Sequence, residues 1–135
     1  MRNEPVGKVR VLVADDSVEL RNAIVRLLQD TFEIVGAVST GLELVDAAIS
    51  LRPDVIVSDL EMPGLTGLAA MKMLRDQGHI IPLVLLTAVV RNPQQWINMG
   101  VIAVVNKADM HLELEEAVQS AAAGRIYLSR GAIGS

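Results

Sequence analysis

The sequence predicts an α/β domain, a doubly wound parallel sheet of (βα)5 plan with five strands. Three observations predict it. Apolar runs at 9–14, 33–38, 55–58, 81–86 and 101–105 alternate with segments of helical periodicity. Three of the runs are nearly continuous in Val, Ile and Leu, as strands covered on both faces are. The connections are short, and parallel crossovers share one hand, which puts helices on both faces of the sheet.

Each element has its own justification. The first run, VRVLVA, ends in the adjacent acids Asp15 and Asp16, and Ser17 or Asp16 is placed to cap the next helix. Leu20, Ile24, Leu27 and Leu28 in that helix fall on one face. After EIVGAV, the stretch TGLE at 40–43 is a capping box that opens a helix to about Ser50. VIVS follows, and then a third helix from Thr66 to Gln77 with Gly78 as its stop. Beyond IPLVLL, Asn92 is placed as N-cap and Pro93 as the first residue of a fourth helix ending at Gly100. VIAVV leads into a fifth helix with Leu114, Ala117, Val118, Ala121 and Ala122 on one face, ending at Gly124. The domain is thus expected over 8–124. The tail 125–135, RIYLSRGAIGS, reads as a domain edge or the start of a linker.

A chain of 135 residues suits one domain, and with 51% apolar residues it can bury a real core. Phe32, Trp96 and Tyr127 are the only aromatics, so that core must be aliphatic. Without cysteine there is neither a disulfide framework nor a thiolate metal site, which fits a cytoplasmic protein. The start MRNEPVGKVR has no apolar segment of a signal peptide, and no run approaches the ~18 residues of a membrane span. A net charge of −4 argues against this segment gripping nucleic acid by itself.

In a doubly wound sheet, ligands bind beyond the carboxyl ends of the strands. Asp15 and Asp16 end the first strand, Asp59 the third, Thr87 the fourth and Lys107 the fifth. Singly, each has a plain explanation as a cap or a solvated loop residue. Jointly, they place polar groups suited to one reaction at four of five strand ends. Clustered carboxylates repel unless a cation sits among them, and Mg²⁺ is the cation for an oxygen-only site. His79 and His111 fall away from this rim, which argues against zinc. Carboxylates, a dication, an amine and a hydroxyl suggest phosphoryl transfer onto a carboxylate. Asp59 is then the nucleophile. Lys107 and the dication neutralise phosphoryl oxygens, and Thr87 donates to the new group.

The pattern DD…D-x-x-M-P-G…T-A…K resembles the receiver domain of bacterial two-component response regulators. The resemblance spans about residues 8 to 124 and implies a flavodoxin-like or CheY-like sheet of order 2-1-3-4-5, for which a receiver is itself a familiar illustration. It implies that Asp16 binds Mg²⁺ directly and Asp15 through water. Asp59 is the phosphoacceptor and a metal ligand, and the backbone carbonyl of Glu61 is a further ligand. Thr87 is the switch hydroxyl, Lys107 the site lysine, and Met62-Pro63-Gly64 the turn after the acceptor. A sensor histidine kinase is the implied phosphoryl donor. The chain acts as a regulatory phosphoacceptor and not as an enzyme on an external substrate. The end, LELEEAVQSAAAGRIYLS, is similar to NarL/FixJ-type receivers, which continue into a helix-turn-helix domain. DNA binding would belong to that output domain. The chain is read as part of such a longer regulator in preference to a stand-alone receiver. The implied readout is the fourth-helix, fifth-strand, fifth-helix face, through a homodimer or the release of an output domain.

Three departures stand out. Ala108 follows Lys107 where receivers commonly have proline, so a trans bond is expected there. Val104 occupies the strand position that usually carries a switch aromatic, which leaves Trp96 as a substitute contributor, a packing residue or a partner contact. Glu61 is either an exposed loop acid or a carboxylate that reaches the metal or an attacking water. Met62, Met71 and Met73 read as core filler or a third-helix face, and Arg21, Arg26, Arg75 and Arg91 as solvated charges. The rival reading is a pseudo-receiver, a constitutive interaction module that does not switch, with Val104 as its support. A dinucleotide or Walker-type enzyme fails because DDS follows the first strand and no glycine-rich phosphate loop is present.

Overall fold

The computed structural model describes residues 7–130. Strands β1 (Arg10–Ala14), β2 (Glu33–Val38), β3 (Val55–Asp59), β4 (Leu83–Thr87) and β5 (Ala103–Asn106) alternate with five helices. These are α1 (Val18–Leu28), α2 (Gly41–Leu51), α3 (Gly67–Asp76), α4 (Gln94–Met99) and α5 (Met110–Ala122). All pairings are parallel, in the order 2-1-3-4-5 that the sequence implied, and a short β6 (Tyr127–Leu128) extends the sheet beside β5. The order reverses at β1, so the rim between β1 and β3 is the natural ligand position.

Strand alternation divides the core in two. Leu12, Ile56, Leu83, Leu85 and Val104 face Leu44, Met71, Leu74 and Trp96 of α2, α3 and α4. Val11, Val13, Val57, Val84, Leu86 and Val105 face Ile24, Leu28, Leu114 and Val118 of α1 and α5. Burying each such Leu or Ile contributes about 1.5–3 kcal/mol, so this aliphatic core supplies most of what holds the rim rigid. Met62 and Met71 are buried filler, whereas Met73 is largely outside.

Several boundaries differ from the expectation, each for a local reason. β4 and β5 begin two residues later than the apolar runs do. Pro82 has no N–H to donate, and its carbonyl accepts from Ile56 before the strand starts. Val101 donates its N–H to the Trp96 carbonyl, so it closes the end of α4 before the chain enters β5. Asn92 does not cap α4. It adopts φ +49, and the helix opens from Pro93 without a side-chain cap. Thr40 does cap α2, accepting from the Glu43 N–H at 3.1 Å, but the Glu43 carboxylate reaches one residue further back, to the N–H and hydroxyl of Ser39. Hydrogen bonds from Ser39 hold the Glu43 carboxyl below its usual range.

The tail, read as a domain edge or the start of a linker, is a domain edge as far as Arg130. After a turn at Gly124 (φ +77), Tyr127 and Leu128 pair with Ala103 and Val104, and the Ser129 N–H donates to the Val104 carbonyl. Glu113, buried on α5, accepts from the Tyr127 hydroxyl at 3.2 Å and the Arg130 N–H at 3.3 Å. Burial and the neighbouring Glu113 charge push the Tyr127 phenol up to about 12. The rest of the tail, 131–135, lies outside the described residues.

Two arginines are not simply solvated. Arg21 is half-buried and donates to the Asp15 carbonyl at 2.8 Å. Arg75 is half-buried and donates to the Gly100 carbonyl at 3.1 Å. No helix among the described residues is long and apolar enough to cross a membrane.

Candidate phosphoacceptor and metal site

The C-terminal ends of β1 and β3 bring Asp15, Asp16 and Asp59 together. One carboxylate oxygen from each lies within 4.8 Å of the others. Asp15 is fully buried, and its backbone N–H donates to Val38 on β2 at 3.0 Å. Its Oδ1 accepts from the Ser17 N–H at 2.9 Å, a local turn that leads into the Ser17 cap of α1. Burial raises the Asp15 carboxyl above its ordinary range and the charges of Asp59 and Asp16 add to the rise, while the Ser17 N–H and Lys107 act in the opposite sense. Asp16 is exposed beside it.

Asp59 ends β3 almost buried. Its Oδ1 accepts from the Lys107 ammonium at 2.9 Å and from the Glu61 N–H at 3.2 Å. Lys107 opens a single 3₁₀ turn, Lys107–Asp109, that Asn106 starts by accepting from the Ala108 N–H at 2.9 Å. The bond after Lys107 is trans, since no cis peptide occurs among the described residues. Gly67 lies against this strand end. A side chain there would collide with the Ser58 hydroxyl, which itself donates to the Asp59 carbonyl at 2.9 Å.

Donor chemistry and geometry both fit a hard dication. All three groups are carboxylates, and buried Asp15 Oδ2 has no hydrogen-bond partner. An orphaned buried oxygen costs free energy unless something positive occupies the space before it. The Glu61 carbonyl accepts no hydrogen bond among the described residues, while the Glu61 N–H donates to Asp59 and the side chain is exposed.

Thr87 ends β4 nearly buried. Among the described residues, its hydroxyl donates to the Val89 carbonyl at 3.3 Å and not to Asp59. A cleft of about 340 Å³ opens there between Leu60–Glu61 and Thr87–Val89, with Trp96 in its lining. Val104 is fully buried on the same sheet face as Leu85 and Trp96. Trp96 is therefore a packing residue of α4 in this state. His111 is exposed and forms no part of the acid cluster. A larger groove along the outer edge of β2, near Phe32 and Val35, holds none of these groups.

Sequence reasoning missed Arg21 and Ser17 as supports of Asp15. The available signal was spacing. A residue in the second turn of α1 leans back toward the helix N-terminus and so over the acidic turn.

Comparison with known proteins agrees with this geometry. Residues 11–119 match the family model described as the response regulator receiver domain. The response regulator GacA of Pseudomonas viridiflava is 32% identical over 125 residues, covering 90% of this chain and 58% of that protein. The transcriptional regulatory protein DesR of Bacillus subtilis is 36% identical over 124 residues, covering 88% and 61%. This chain therefore spans about six-tenths of the length of these two relatives. Among solved structures, the receiver domain of the response regulator NarL from Mycobacterium tuberculosis superposes with a TM-score of 0.82 at 28% identity, covering 89% of this chain and 100% of that one. The response regulator domain of Thermotoga maritima CheB gives 0.78 at 26% identity, covering 86% and 97%. The chain belongs to the response regulator receiver domain family of two-component systems, with NarL and LuxR-family receivers among its relatives.

Proposed function

We propose that this chain is a phosphorylation-dependent switch in which Asp59 takes a phosphoryl group from a sensor histidine kinase with Mg²⁺ bound. The observation that carries the reading is the convergence of three carboxylates with Lys107 placed directly on the acceptor. Asp16, Asp59 and the Glu61 carbonyl would hold the ion directly and Asp15 through water. When bound, Mg²⁺ supplies charge neutralisation for the incoming phosphoryl oxygens. An Asp59 oxygen attacks phosphorus, the P–N bond of phosphohistidine breaks, and the imidazole leaves with the bonding pair. Lys107, already at the carboxylate, follows the charge onto the phosphoryl group.

The acceptor gains a charge on the order of that of a phosphoserine, about −1.5 to −2. Turning the Thr87 hydroxyl from Val89 toward that charge would pull on the loop between β4 and α4 and bias two pre-existing arrangements. Val104 leaves no aromatic to follow Thr87 inward, so the readout runs through the loop and Trp96. Pairing of β6 with Val104 supports a path from this strand to whatever follows the domain. By analogy with the transcriptional regulators it resembles, the controlled unit is a DNA-binding output domain, engaged through a homodimer of the α4–β5–α5 face.

Beryllofluoride with Mg²⁺ tests the reading. It should bind at Asp59 and change the fluorescence of the single tryptophan, Trp96, with no change in Asp59→Asn. A chain that ignores beryllofluoride is the non-switching interaction module instead.

A further inference from the structure

We infer that Arg21 is a positioning residue for the divalent cation, an inference that rests on the metal-site reading above. Asp15 is fastened at three atoms. Its N–H donates to Val38, its Oδ1 accepts from Ser17, and its carbonyl accepts from Arg21 Nη1 at 2.8 Å. That carbonyl belongs to the Asp15–Asp16 peptide, so the Arg21 bond fixes the plane from which Asp16 departs.

The Asp16 carboxylate has no tie of its own. It is exposed and accepts no hydrogen bond among the described residues, yet it stands within 4.8 Å of the oxygens of Asp15 and Asp59. Holding an exposed carboxylate next to two others, against their repulsion, requires a stiff backbone. Arg21 is the side chain that stiffens this peptide.

Its placement fits such a role. The Arg21 N–H closes the first turn of α1 on the Ser17 carbonyl at 2.8 Å, and the side chain leans back over that turn. Arg21 is half-buried and, among the described residues, its guanidinium lies on no carboxylate within 4.0 Å.

Arg21 has two effects of opposite sign on a cation. Its positive charge disfavours the ion, and its hydrogen bond preorganises the ligands. The charge acts beside the exposed Asp16, where the high dielectric of water weakens it. The hydrogen bond is direct, so positioning wins.

Calorimetric titration with Mg²⁺ tests this, with the fold checked by thermal melting in EDTA. Arg21→Gln should bind Mg²⁺ about tenfold more weakly, within the ~10–100-fold range seen when partners of metal ligands are removed. Arg21→Met, which keeps the aliphatic stem, should do the same and serves if the glutamine variant melts early. Arg21→Lys, with a donor but no fork, should recover part of the affinity. Arg26→Gln, exposed on the same helix, should match the unaltered chain. Arg21→Gln or Arg21→Met binding as tightly as the unaltered chain, or more tightly, overturns the inference alone. No Mg²⁺ binding by the unaltered chain overturns the site reading and the inference together.

Discussion

The ammonium of Lys107 lies 2.9 Å from Oδ1 of Asp59. The pair joins the ends of β3 and β5 across β4 and ties down the Asp59 carboxylate. On the proposed function, Lys107→Ala removes the charge that would follow the phosphoryl oxygens. Phosphorylation by a small phosphodonor should slow by about 100-fold, the usual order for losing one such stabilising donor. Stopped-flow tryptophan fluorescence reads this rate; a rate unchanged within twofold contradicts the role.

Asp15 links the site to stability. Its carboxyl is raised by burial, so the folded state holds that proton more tightly than the unfolded state does. The stability this gives is present below the unfolded value near 3.8 and is lost as pH rises through the higher folded value. At neutral pH without metal, Asp15→Asn should therefore melt higher than the unaltered chain, and the gap should close in acid. Mg²⁺ at 100 times its Kd should stabilise the unaltered chain by about 2.7 kcal/mol and the variant by much less. Melting curves across pH, with EDTA or Mg²⁺, check both signs.

Tyr127 and Glu113 fasten β6 to α5. Tyr127→Phe should cost about 1–2 kcal/mol by leaving a buried carboxylate short of a donor. The phenol is raised to about 12 in the fold, so its contribution is complete below pH 10 and is lost between about 10 and 12. Chemical denaturation at pH 8 and pH 11.5 should show the gap between the two proteins shrinking at the higher pH. A gap that widens instead rejects the pairing.

Gly67→Ala places a methyl group against the Ser58 hydroxyl and the Asp59 carbonyl at the acceptor's own strand end. Overpacking of this kind costs about 1–3 kcal/mol. Because the obstacle touches Asp59, beryllofluoride affinity should fall along with the melting temperature. An equal loss of stability from Leu12→Ala, deep in the core, should leave that affinity intact.

Much of this molecule was legible because its signals are long or periodic. The runs from Val9 to Ala14 and from Val55 to Ser58 can only be buried strands, and once the sheet is parallel the rim positions of Asp15, Asp59, Thr87 and Lys107 follow from strand ends. β6 was not legible, since two residues carry no period and its pairing depends on Glu113 one helix away. The start of α4 was misread because Asn92 can take a left-handed conformation as readily as it can cap. Arg21 looked like any surface charge, because its spacing places it over the acidic turn without saying which atom its guanidinium meets, here the Asp15 carbonyl. Nor does sequence say that the Thr87 hydroxyl rests on Val89, which is a choice of rotamer.

The central claim is that Asp59 accepts a phosphoryl group at a site completed by Mg²⁺. Intact-mass spectrometry of the chain after exposure to a small phosphodonor tests it most directly. The account predicts a gain of one phosphoryl group that requires Mg²⁺, is labile to alkali and disappears in Asp59→Asn. A chain that gains no mass, or one that gains it equally in Asp59→Asn or in EDTA, contradicts it.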